Sequence, residues 1–154
     1  DPAHERSRLA YVALLLEQGR VEEARHLLEQ AVAADPAHVT FALALARIHV
    51  EQREYAAALS VMDRIAPAGR NADYYALRAA VLQREGRHAE AVDAFQQALQ
   101  GGPQGAGTWM GLAISLDALS QRADAAQAYR RALGAGTLAP EARDYAEARA
   151  KALD

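Results

Sequence analysis

Gly19-Arg20-Val21-Glu22-Glu23-Ala24 and Gly86-Arg87-His88-Ala89-Glu90-Ala91 are two versions of one phrase, and that phrase decides the fold. Working outward, its closing alanine recurs as Ala24, Ala58, Ala91 and Ala125, at spacings of 34, 33 and 34. A large residue follows each alanine at Leu28, Met62, Phe95 and Tyr129. Three positions later come Ala31, Ile65, Ala98 and Ala132. Asp1-Pro2-Ala3-His4 returns 34 residues on as Asp35-Pro36-Ala37-His38, and Pro36 and Pro103 lie 67 apart, two periods. A period of this length is that of a repeated supersecondary unit, which buries its apolar face only against its neighbours.

Each repeated residue type has a physical role. Small alanines let neighbouring helices approach closely, and the large residue fills the gap between paired helices. Gly19 and Gly86 stand where the chain must turn between two helices, and positive φ costs glycine little. Pro36 and Pro103 stop one helix and start the next. Arg53 and Ser120 stand at the equivalent turn positions, and one residue is missing near Ala66-Pro67-Ala68-Gly69-Arg70. The glycine-rich stretch 101–107 predicts a mobile loop.

Composition agrees. Alanine, the best helix former, supplies 39 of the 154 residues, with Leu, Arg, Glu and Gln filling much of the rest, so a nearly all-helical chain is expected. The length suits a single domain. A net charge of −3 argues against a dedicated nucleic-acid binder, and zero Cys excludes disulfides and thiolate chemistry. No apolar run reaches the ~18 residues of a membrane span. All but one of the seventeen basic residues are Arg, which we read as codon bias of a GC-rich bacterial genome. The opening at Asp1 reads as an excised piece of a longer chain.

The 34-residue pattern resembles the tetratricopeptide repeat (TPR) family. The resemblance implies an all-α, TPR-type α-solenoid of four helix-turn-helix repeats, at about 5–38, 39–71, 72–105 and 106–138. A ninth helix at about 139–153, in which Ala142, Tyr145, Ala146, Arg149 and Leu153 suggest one apolar and one charged face, is expected to cap the array. It also implies a concave groove lined by the first helix of each repeat. The matching positions are Leu9, Ala13 and Leu16, then Leu43, Arg47 and Val50. Ala76, Ala80, Gln83 and Arg84 follow, then Met110, Ile114 and Asp117. This lining is apolar with few charges and suits a helix or an extended apolar peptide. The places where chaperone-binding TPRs carry carboxylate-gripping Lys and Asn hold only one cation, Arg47, so no such clamp is expected. Leu9, Leu43 and Met110 could instead pack against an upstream helix, and an exposed apolar strip also favours self-association.

No catalytic constellation stands out. Ser7, Ser60, Ser115 and Ser120 lie in no nucleophile-elbow motif. His4, His26, His38, His49 and His88 form no i, i+4 pair with a helper carboxylate, and His49 reads as a satisfied core histidine. The expectation is a non-enzyme with no cofactor and no metal. An enzymatic reading would need a ligand or metal near His49 or Arg47.

Four segments are more specific. They are Phe41 to Gln52, Asp73 to His88, Trp109-Met110-Gly111-Leu112-Ala113-Ile114-Ser115-Leu116, and Gly136-Thr137-Leu138-Ala139-Pro140-Glu141. In this order they resemble the MshN family of biogenesis proteins of the MSHA type IV pilus. That resemblance implies a scaffold in pilus assembly, on the periplasmic face of the inner membrane behind an upstream span, with pilus-assembly components as partners. The alternative is a cytoplasmic TPR adaptor or co-chaperone-like module.

Overall fold

The computed structural model describes residues 2–102 and 105–153. It is 80% helical, with nine α-helices and no strand among the described residues, as the alanine-rich composition requires. Two compact units are present, Asp1–Arg70 and Asn71–Asp154.

The first unit holds α1 (Pro2–Glu17), α2 (Val21–Ala34), α3 (Val39–Glu51) and α4 (Tyr55–Asp63). A 3-10 turn over Pro67–Gly69 closes it. The second holds α5 (Ala72–Arg84), α6 (His88–Gln100), α7 (Ala106–Ala118), α8 (Arg122–Gly134) and α9 (Pro140–Leu153). Within each unit, helices adjacent in sequence pack on one another, and α5 also meets α7.

The repeated positions are the core. Ala24, Ala58, Ala91 and Ala125 are all 0% exposed, so nothing larger than a methyl group fits at these crossings. Leu28, Met62, Phe95 and Tyr129 are buried beside them, as are Ala31, Ile65, Ala98 and Ala132.

Four helix pairs turn in the same way. Gly19, Arg53, Gly86 and Ser120 have φ of 73°, 62°, 74° and 59°. After each, the next amide reaches back five residues: Arg20 N–H to Leu15 O, Glu54 to His49, Arg87 to Leu82 and Gln121 to Leu116, at 2.8–2.9 Å. The left-handed residue donates to Leu16, Val50, Gln83 or Asp117 O at 2.9–3.0 Å. These are Schellman caps, and the left-handed residue is what lets the two bonds form.

Other boundaries follow from local chemistry. Asp35 ends α2, and its carboxylate accepts from Ala37 N–H at 3.1 Å, making an Asx turn through Pro36. Asn71 caps α5 by accepting from Tyr74 N–H at 2.9 Å. Pro140 begins α9, where its missing N–H costs nothing. The second helix of the second pair, α4, is short at nine residues, and it lies just before the expected deletion. There Arg70 Nε donates to the Ile65 carbonyl at 3.0 Å, occupying an acceptor that the truncated helix leaves open. Pro103 and Gln104 of the expected glycine-rich loop lie outside the described residues.

Candidate functional site

The candidate surface is the outward stripe of the first helix of each pair. In the second unit, α5 contributes Ala76 and Ala80, and α7 contributes Met110 and Ile114, all half-buried. The faces behind them, with Tyr74, Ala79, Val81 and Leu82 on α5 and Leu112, Ala113, Ser115 and Leu116 on α7, are fully packed.

Gln83 fixes the spacing of this stripe. Its amide Nε2 donates to Gly111 O at 2.7 Å and to Ser115 Oγ at 2.8 Å, so α5 is tied to α7 and the buried Ser115 is satisfied. Gly111 lets the ring of Phe95 come up against its Cα; a Cβ there would overlap that ring. Gln83 is therefore a spacer between two helices, with its donors committed to the fold.

Asp117 is likewise committed. Its carboxylate accepts two hydrogen bonds from Arg149 of α9, at 2.7 and 2.8 Å, and one from Tyr129 Oη at 3.3 Å. The Arg149 bonds hold the Asp117 carboxyl below the usual aspartate range, and burial pushes the Tyr129 phenol above its own. Arg122 adds a bond to Ala152 O at 3.1 Å, and Tyr145 lies edge-on to Tyr129. Helix α9 is thus locked onto α7 and α8. Its buried residues are Ala146, Ala150 and Leu153, whereas Tyr145 is 47% exposed.

In the first unit, Leu9 and Leu16 of α1 and Val50 of α3 are half-buried, and Ala13 and Arg47 are exposed. Leu43 differs from the rest of the expected lining. It is 6% exposed and belongs to the core, because α3 buries it beside Phe41, Ala42, Leu45, Ala46 and Ile48 in the same run. Arg84, at the end of α5, is exposed.

His49 is a buried histidine with a partner. Its Nδ1 lies 2.6 Å from Glu54 Oε2 across the α3–α4 turn. Glu54 is also 4.0 Å from Arg25, Arg25 pairs with Glu22, and Gln52 donates to Glu22 at 2.8 Å. This chain of polar groups joins the α3–α4 turn to α2. The carboxylate lies at i+5, outside helical i, i+4 spacing, and the positive-φ turn at Arg53 brings it round. Among the described residues no cluster of three or more His, Asp or Glu is arranged to hold a metal, and no helix is long and apolar enough to cross a membrane.

Stacked helix pairs with a repeating alanine core and an outward apolar stripe define an all-α protein of the helical-repeat class. Residues 15–81 and 72–100 match sequence models of the tetratricopeptide repeat, which together span more than half of the chain. The chain belongs to the tetratricopeptide repeat family, and its fold is the TPR-type helical solenoid. Similar solved structures include MamA AMB-1, at 25% identity and a TM-score of 0.71, covering 81% of this chain and 75% of that one. A crystal structure of MamA is 17% identical with a TM-score of 0.77, over 92% and 91% of the two chains. A MamA RS-1 double mutant is 15% identical with a TM-score of 0.82, over 97% and 84%. No curated protein sequence matches the chain significantly. The resemblance to pilus-biogenesis proteins finds no support in these comparisons, which bring forward MamA structures instead.

Proposed function

We propose that the chain is a non-catalytic protein–protein interaction scaffold that binds a peptide or helix of its partner along the first helices of its repeats. The observation that carries this reading is the stripe of Ala76, Ala80, Met110 and Ile114. It is apolar and only half-buried, and Gln83 holds its two helices at a set spacing. Two small side chains beside two long ones suit contact with an apolar side chain of the partner. Leu9, Leu16 and Val50 supply the same character in the first unit.

The finer reading makes the partner a component of a type IV pilus or a related secretion machine, at the periplasmic face of the inner membrane. It rests on the four segments that resemble the MshN family. Site-specific photo-crosslinking from Met110 in the host, read by mass spectrometry, tests both levels. Crosslinks to pilus-assembly proteins support the finer reading. Crosslinks to cytoplasmic proteins replace it with the adaptor alternative. Crosslinks only to the chain itself would sink the partner-binding role of this stripe. Met110→Glu is the accompanying variant: helical circular dichroism should be unchanged and partner affinity should fall at least tenfold. Leu43 is unsuited to this test, since a charge there would unfold the core.

A further inference from the structure

The flank of α7 that faces away from the Met110 and Ile114 stripe carries a second feature. Trp109, Leu112 and Leu116 line a cleft of about 250 Å³, closed by Gln96 of α6 and by α8. Along α8 the rim is formed by Gln121, Asp124, Gln127 and Arg131. Trp109 is half-buried, and it is the only tryptophan in the chain. The side chains of Gln96, Gln121, Asp124, Gln127 and Arg131 are exposed and hold no hydrogen bond or ion pair with any other described residue. The contrast with the Gln83 amide nitrogen and the Asp117 carboxylate, which are spent inside the fold, is direct.

We propose that this cleft is a second protein-contact site that takes a short extended peptide segment, with one apolar side chain against Trp109 and oppositely charged residues on either side of it. Three features select that occupant. The apolar floor has room for one side chain, and an indole face is a good platform for it. Primary amides carry both a donor and an acceptor, which matches the unpaired N–H and C=O groups of an extended main chain. Asp124, in the first turn of α8, and Arg131, in its last turn, are seven residues apart, a rise of about 10 Å. That is the length of about three extended residues, so a basic and an acidic side chain flanking the anchor can reach the two charges. The arrangement also fixes the direction in which the peptide lies.

The test uses the chain itself against an array of random blocked decapeptides. The array is probed with the wild type and with Asp124→Ala, Gln127→Ala, Arg131→Ala and Met110→Glu. The bound peptides are then titrated in solution against Trp109 fluorescence. The expected result is a set of peptides with an apolar residue between opposite charges. They should shift the Trp109 emission saturably, bind at least tenfold more weakly to Asp124→Ala and Arg131→Ala, and bind unchanged to Met110→Glu. The three α8 variants alter exposed side chains, so loss of binding is not loss of fold. No peptide that moves Trp109 overturns the proposal. So do bound peptides indifferent to the α8 variants and lost with Met110→Glu, a result that leaves the stripe reading standing alone. A Trp109 response to oligosaccharides and to no peptide also overturns it.

Discussion

Arg53 and Ser120 hold the left-handed conformation that Gly19 and Gly86 hold at the equivalent turns. For a residue with a Cβ that conformation costs about 1–2 kcal/mol, and a glycine gives back part of the difference through its freer unfolded chain. Arg53→Gly and Ser120→Gly should each stabilise the protein by about 0.5–1 kcal/mol, read as a higher urea midpoint at unchanged slope. An unchanged or lower midpoint would mean that these two turns are not strained. Gly111 is the opposite case. Gly111→Ala places a methyl group in the ring of Phe95 and should cost about 1–3 kcal/mol in the same measurement. The two turn substitutions were visible in the sequence, because the period points at them. The tightness at Gly111 was not, because it depends on a ring brought in from α6.

At the scale of elements, α9 shows how a terminal helix is held. Its anchors are polar: Arg149 on Asp117, Tyr129 on the same carboxylate, and Arg122 on the Ala152 carbonyl. The linkage has a definite sign on each side of neutrality. Asp117 is depressed, so its contribution is present above the ordinary aspartate value near 3.9 and is lost as pH falls through the lower folded value. Tyr129 is raised, so its contribution is present below about 10 and is lost as pH rises toward the folded value. Denaturant midpoints measured between pH 7 and pH 2 should fall less steeply for Asp117→Asn than for the wild type. Parallel curves would show that Arg149 adds nothing to stability. The sequence placed Asp117 in a groove and Arg149 on a two-faced terminal helix. Their pairing joins residues 32 apart on different helices, which no local pattern reveals.

For the whole molecule, the contact map is the consequence of a short repeat. Within each unit, helices meet their neighbours in sequence, with α5 on α7 the next-nearest case. Such local topology closes only short loops, so folding is expected in about milliseconds or less. Stopped-flow refolding followed by Trp109 fluorescence checks this. A slow phase that prolyl isomerase does not remove would contradict it.

By itself the sequence determined the repeat, its period, the twelve core positions and the four turns. Each of these depends on residues within one or two helices, so size, backbone freedom and spacing suffice to place them. The tertiary structure alone decided which polar side chains are free. Gln83 and Asp117 were expected in the groove lining but are held by Ser115 and Arg149. His49 found Glu54 around a turn, and Leu43 went into the core. Hydrogen-bond partners and burial are properties of surfaces brought together by packing, and a residue's own identity does not state whether its polar atoms are already satisfied.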